Sequence, residues 1–387
     1  MIAATGAFFP SLLQSINHSL MKLPKRFRQS LRIVSLLLGA FILYIATVLI
    51  YGTYDDWQPP AISPLEPLQV SEKNPIRDSV LSFVIWNLGY GGLGEESDFF
   101  YDHGNMFLSG GRMVRAPREY VEKNIAGDTL FVQTTQSDFF LFQEVDFTAR
   151  RSYYINQFEE IGEELPGYAA FFAPNYKVSR VPIPIMEPWN AYGKVLSGLA
   201  TYSRFQPYES IRLQLPGSFA WPTRIFQLDR CVALHRYRLA NEKELVVMNV
   251  HNSAYDADGA LKRQQMAFLR ERLLEEYAKG HYVIVGGDWN QCPPFFRFDG
   301  FMPGNTQGYT QINIEPDFLP ADWQWVYDPT VPTNRKVRTP YVAGKSFITL
   351  IDFFLISPNV RARTIKGLDQ QFRFSDHQPV WMEVELR

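Results

Sequence analysis

From residue 80 onward the apolar residues arrive in short runs broken by turns, and run length constrains this chain's fold more than any other feature. Runs of this kind suit strands, whereas a helix that buries one face needs apolar residues three and four apart. Strands are predicted at 80–88, 139–145, 169–173, 195–203, 225–239, 245–251, 282–286, 347–357 and 379–386. Between the sixth and seventh, the pattern changes. Over 260–278, Met266, Leu269, Leu273 and Tyr277 recur at helical spacing, so a helix buries that face and leaves Lys262, Arg263, Arg270 and Glu275 in water. Gly280 then ends it. Strands interleaved with helical pattern predict an α/β protein.

Several predicted strands end on a polar residue that a core strand has no use for. Asn87 closes FVIWN, Glu144 closes FFLFQE, His251 closes VVMNVH, and Asp288 and Asn290 close VIVGGDWN; FSDHQP places Asp376 and His377 just before the last strand. Taken singly, each has a plain explanation as a turn residue or a hydrogen-bonded histidine. Together they are what a rigid sheet presents when a site is built at its strand ends. Carboxylate and amide oxygens suit a hard divalent cation such as Mg²⁺ or Mn²⁺. Zinc would want more histidine or cysteine, and only Cys231 and Cys292 are present, free to pair once or to stay as buried thiols. A cation held by Glu144, flanked by Asn87 and Asp376, can polarise a phosphoryl oxygen while a histidine or an aspartate orients water.

The N-terminal part is built differently. Residues 33–51 are uncharged and apolar over a length that crosses a bilayer, with Lys22, Lys25, Arg26, Arg28 and Arg32 before them and Asp55 and Asp56 after. The positive-inside rule then predicts a cytoplasmic basic segment (1–32), a single transmembrane helix (33–54), a proline-rich linker (55–78) and an extracytoplasmic domain (79–387). A cleaved signal peptide is the competing interpretation. Five of the 38 basic residues and none of the 40 acidic ones precede residue 53, leaving 33 against 40 in the remainder. Such an acidic body lacks the broad basic footprint of a protein that grips long nucleic acid.

The segments VIWNLG, LFQEVD, MNVHNS, GGDWNQ and FSDHQP, in that order, together with IDFFLIS, resemble the endonuclease/exonuclease/phosphatase superfamily, the deoxyribonuclease I-like fold, over about residues 79–387. The resemblance implies a four-layer sandwich: two packed mixed β-sheets with helices outside. It implies that Glu144 is the principal metal ligand, with Asn87 and Asp376 near the same ion. Asp288 and Asn290 would position phosphate and water or hold a second metal. His377, oriented by Asp352, would activate water or stabilise charge at phosphorus, and His251 would bind phosphate or protonate the leaving oxygen. LSGLATYSR resembles the family strand ending in Ser-Arg, which makes Arg204 a weaker candidate phosphate contact.

Two departures stand out. Residues 89–136 are longer than the family's direct passage to the helix before Glu144; they carry Asp98, Asp102, His103 and Arg112 and would form a substrate lid or surface decoration. Gly89 occupies a position where abasic-site endonucleases often have an acid, which argues against that subgroup. The expected activity is an extracytoplasmic, metal-dependent phosphoesterase, a monomer acting on a lipid headgroup, nucleotide or sugar phosphate. The alternatives are an extracytoplasmic nuclease and a catalytically dead, membrane-tethered binding module.

Overall fold

A computed structural model describes residues 24–254, 259–297, 301 and 311–387, in two units, Met1–Asp55 and Asp56–Arg387. Residues 1–23 of the expected basic segment lie outside the described residues. Among the described residues of the first unit, one helix, α1 (Lys25–Tyr54), is long and apolar enough to cross a membrane, with a mean hydropathy of 2.7 over an 18-residue stretch. It starts earlier than the expected 33, because Lys25, Arg26, Arg28 and Arg32 follow Pro24 as good helix formers. No residue of α1 is buried.

The second unit runs, in chain order, through β1 (Ile62–Pro64), β2 (Val80–Asn87), α2 (Arg118–Thr134), β3 (Phe139–Asp146), α3 (Gln157–Glu163), β4 (Ala169–Val181), β5 (Gly193–Ser203) and β6 (Glu209–Gln214). It continues with β7 (Cys231–Arg238), β8 (Glu244–His251), α4 (Ala260–Ala278), β9 (Tyr282–Asp288) and β10 (Gln324–Val326). It closes with β11 (Asn334–Arg335), β12 (Ile348–Thr349), β13 (Asp352–Ile356), β14 (Val360–Gly367) and β15 (Val380–Leu386). One sheet has the order β1-β6-β7-β8-β9-β13-β10, the other β14-β15-β2-β3-β5-β4, and β11 and β12 form a separate two-stranded sheet. Each large sheet is mixed around one parallel pair, β8 with β9 and β2 with β3.

Strand alternation divides the core into layers. Phe83, Ile85 and Leu141 of one sheet face Val247, Ile284 and Phe354 of the other in the central layer. Met266, Leu269 and Leu273 of α4 cover the outer face of the first sheet, and Phe131 and Val132 of α2 with Phe158 and Ile161 of α3 cover that of the second. This is the expected four-layer sandwich. The sheets approach closely at Gly286, where a Cβ would sit 2.6 Å from Ile85 of the facing sheet.

Several boundaries differ from expectation for local reasons. The segment expected as a linker is part of the body: β1 adds to the sheet edge, Ser71 Oγ donates to the Arg204 carbonyl, and Ile76 is in the central layer. The run 225–239 is a strand only from Cys231, because residues 223–226 coil into a short 3₁₀ turn. The run 347–357 breaks after Thr349, since its first half pairs with β11 and its second with β9 and β10. Lys262, expected in water, is buried on α4, while Arg263 and Arg270 are exposed. Both cysteines are buried, and neither forms a disulfide among the described residues.

Candidate active site

The two parallel pairs deliver their C-terminal ends to one place. His251 and Asp288 are register partners across β8 and β9, and Asn87 pairs with Gln143, the residue before Glu144, across β2 and β3. Glu144 sits where β3 bulges against β5, with φ of 52°. A non-glycine residue in the left-handed region is strained by about 1–2 kcal/mol, and such strain concentrates at functional positions. Its consequence here is directional, since the bulge turns the carboxylate out of the alternation of the strand and leaves it a quarter exposed. The strand turn before Asp288 needs a glycine: Gly287 has φ of 145°, and a Cβ there would meet the Val250 carbonyl at 2.1 Å.

Asn87 and Asp288 organise the floor. Asn87 Oδ1 accepts from Gly89 N, so its Nδ2 points between two carboxylates, donating to Glu144 Oε1 at 3.2 Å and Asp288 Oδ2 at 3.1 Å. Asp288 Oδ1 accepts from Asn290 N, and Asn290 Nδ2 is anchored on the Asn252 carbonyl. Asp288 Oδ2 is therefore the shared centre, 3.4 Å from His251 Nε2 and 3.8 Å from His377 Nε2.

The last strand brings the remaining groups. His377 Nδ1 donates to Asp352 Oδ2 at 2.8 Å, which fixes the ring with Nε2 toward Asp288. Burial opposes charge on His377, but the Asp352 carboxylate overcomes it and raises the imidazole's pKa. Burial, with Arg230 and His377 nearby, pushes His251 the other way, well below the usual range, so it is a neutral imidazole. Ser375 Oγ donates to the Asn87 carbonyl and accepts from His377 N, and Trp86 Nε1 donates to the His377 carbonyl, locking this segment onto β2. Asp376 is pushed up to about 7, first by burial and then, against the pull of His377, by the charge of Glu144.

That mutual repulsion is what a cation would relieve. The donors are oxygens, and Asp352 Oδ1 is buried with no partner among the described residues. Among the described residues, Asp288, Asp352 and His377 offer ligand atoms within 4.8 Å of one another, and the carboxylates of Glu144 and Asp376 add the oxygen donors that a hard divalent cation prefers. In that group of three His377 Nδ1 is already committed to Asp352. Asn87 would join through its amide oxygen, which here accepts from Gly89 N.

Every strand-end residue singled out in the sequence is thus at this site, while Arg204 is not. Arg204 pairs with Asp138 at 3.2 Å, at the start of β3, the end opposite Glu144. The sequence gives no sign of Asn334, whose Nδ2 lies 2.9 Å from His377 Nε2, because it comes from a two-residue strand in irregular chain. Nor does it single out Arg335, buried with Nη2 on the carbonyls of Leu93 and Gly94. With Asp102 Oδ2 accepting from Val337 N, that arginine makes the start of the 89–136 segment a fixed wall. The absent acid at Gly89 also has a reason, since a Cβ there would lie 2.9 Å from Asp376 Oδ1.

Comparison with known proteins agrees with this fold. The model of the Endonuclease/Exonuclease/phosphatase family matches residues 86–377. No curated protein matches the chain. Among solved structures, an endonuclease/exonuclease/phosphatase from Beutenbergia cavernae is similar with a TM-score of 0.54 at 16% identity, over 79% of this chain and 72% of that one. A family protein from Bacteroides thetaiotaomicron has a TM-score of 0.49 at 16% identity, over 80% and 95% of the two chains. TDP2 from D. rerio, complexed with a single-strand DNA product, has 0.48 at 14% identity, over 80% and 100%. The match runs from the tryptophan that pins the last strand to the histidine it pins, and the chain belongs to the endonuclease/exonuclease/phosphatase family, divalent-metal-dependent hydrolases of phosphoester bonds.

Proposed function

We propose that this chain is a Mg²⁺- or Mn²⁺-dependent phosphoesterase that works outside the cytoplasm as a monomer, tethered by α1 as a single-pass anchor. Its substrate is a phosphorylated small molecule or lipid headgroup rather than long nucleic acid. One observation carries this: Glu144, Asp376, Asp288, His251 and the His377–Asp352 pair converge from two sheets on one partly open point. The acidic balance of the body supports the choice of substrate.

Glu144 and Asp376, with Asp288 beside them, would hold the cation, which when bound supplies Lewis-acid polarisation of the phosphoryl group. The protein's own residues do the rest. Asn87 holds Glu144 and Asp288 at a fixed separation. Asp288 Oδ2 and His377 Nε2 face the same point: Asp288 is placed to take the proton of an attacking water, and His377, whose charged form Asp352 favours, to stabilise charge at phosphorus. His251, neutral and buried, can donate to a phosphate or leaving oxygen through Nε2.

The test is a substrate panel: residues 56–387 with sphingomyelin, phosphoinositides, nucleotides, RNA and plasmid DNA, with Mg²⁺ or Mn²⁺ and with chelator. Chelator-sensitive turnover of a small or lipid phosphoester is expected. Turnover of DNA alone would assign a nuclease, and turnover of none would sink the enzymatic proposal. A reporter fused after Arg387 tests the topology, and reporter activity confined to the cytoplasm would overturn it.

A further inference from the structure

Strands β4 and β5 run on past the catalytic end of their sheet. Pairing of β3 with β5 stops at Asp146 and Ser197, whereas β4 and β5 stay paired as far as Val181 and Gly193. Their connection, 182–192, therefore projects beyond the strand end that carries Glu144. A loop of the 89–136 segment is stitched to it by backbone bonds, Ile185 N to the Met106 carbonyl and Met186 N to the Phe107 carbonyl, both 3.0 Å.

This tip is braced from both sides. The Glu187 carboxylate accepts from Ser109 N and Oγ and from Asn190 Nδ2, and Asn105 Oδ1 accepts from Phe107 N and Leu108 N. Below it, Phe100, Val114, Val181 and Tyr192 form a core cluster of their own. Yet the braced loops hold Met106, Phe107, Leu108, Met186 and Trp189 in water, with Trp189 74% and Phe107 56% exposed. A folded chain that fixes five large apolar side chains on a projection presents a contact surface.

We propose that this tip docks on a lipid bilayer surface. Three observations select lipid. The same chain carries a helix long and apolar enough to cross a bilayer, and that helix ends at Tyr54, just before the body begins at Asp56. The exposed set of Trp, Phe, Leu and Met is the composition that enters the headgroup boundary, where an indole is apolar in body and polar at one end. Exposed Arg112 lies on the first of these segments and exposed Arg338 is joined to it from the chain after β11, its Nε on the Asp102 carbonyl; both can meet lipid phosphates, while the carboxylates of Glu187 and Asp102 are spent on hydrogen bonds. Through Asp102, Val337 and Arg335, whose N donates to the Asp376 carbonyl, the tip is tied to the catalytic end, so docking brings that end to the lipid surface.

The inference concerns the surface that is bound and is independent of which ester is cleaved. Its test uses residues 56–387, which carry both sheets and all the described core residues. The probe is sedimentation with large vesicles of phosphatidylcholine, alone or with phosphatidylglycerol. The wild-type body and the control Leu130→Ser, which alters an exposed apolar residue on α2, are expected to sediment with vesicles. Phe107→Ser/Trp189→Ser is expected to partition at least about tenfold less, with an unchanged thermal unfolding curve. The proposal falls if the wild-type body stays in solution with both vesicle types, or if the double variant sediments equally. Self-association lost in the double variant, without vesicle binding, would assign the tip to a protein contact and also overturn it. Sedimentation needs no turnover, so failure of the hydrolytic proposal would leave this result standing.

Discussion

Arg151 should matter more to this protein than its distance from the phosphoryl chemistry suggests. Its side chain is 5% exposed and that of Asp146 is fully buried. Arg151 Nε and Nη2 fork onto the Asp146 carboxylate at 3.0 and 2.7 Å, Nη1 donates to Tyr192 Oη at 2.7 Å, and the guanidinium lies 3.7 Å over the Tyr90 ring. Tyr90 follows Asn87 by three residues and Asp146 follows Glu144 by two, so one cation joins the ends of β2 and β3, two of the strands that carry the site. Arg151→Met keeps the apolar length but strands a buried carboxylate, which costs about 3–5 kcal/mol. Denaturant unfolding of residues 56–387 measures it. Asp146→Asn/Arg151→Met removes the stranded charge and is expected to recover much of the loss. Below the melting range, Arg151→Lys, which keeps the charge without the fork, is expected to reduce kcat/KM by about tenfold through displaced Glu144. A loss under about 1 kcal/mol for Arg151→Met would refute the reasoning, because it would mean that the pair is solvated or the carboxylate neutral.

Glu144→Ala and His377→Ala should each lower metal-dependent kcat/KM by at least about 100-fold, measured on whichever panel substrate is turned over, and full activity after either change would misplace the site. Gly89→Ala, at φ of 51° and against Asp376, is expected to cost about 1–2 kcal/mol in denaturant unfolding and to weaken Mn²⁺ binding in a calorimeter; an unchanged protein would mean that Asp376 moves freely. Burial opposes charge on Glu276, but hydrogen bonds from Arg236, Lys279 and His281 lower it to about 2. Its contribution to stability is therefore complete above the ordinary carboxylate pKa and fades as pH falls toward 2. Glu276→Gln should melt below wild type at pH 7, with a gap that closes in acid; a gap independent of pH would remove the charge from the explanation.

Much of the site was legible because rigid strands end where their apolar run ends. Asn87, His251 and Asp288 each stand at such an end, Glu144 at the bulge two residues before its strand ends, and the sheet does the gathering. Residues supplied by irregular chain carry no periodic mark, which is why Asn334 and Arg335 escaped notice. Edge strands were similarly hidden. β14 alternates Arg361, Arg363 and Lys366 with small or apolar neighbours, a composition that protects an exposed edge and hides the strand from a search for apolar runs. The long β4 extends past its apolar start through Pro174, after which the register shifts by a bulge, and Lys177, which stays in register with Leu196. The strand expected at 347–357 shows the converse limit, since unbroken apolar sequence cannot reveal a change of pairing partner.

The close approach of the sheets at Gly286 has a bearing on how this enzyme could be altered. Asn87 and Glu144 are mounted on one sheet and His251 and Asp288 on the other, so the site spans a seam whose width is set by what fills the layer between them. Gly286 and Ile85 act as a spacer just beneath it. A larger side chain in that layer would part the two halves of the catalytic set before it unfolded either sheet. Substitutions in the middle of this protein would then behave as active-site substitutions, and heat should disable it while both sheets are still intact.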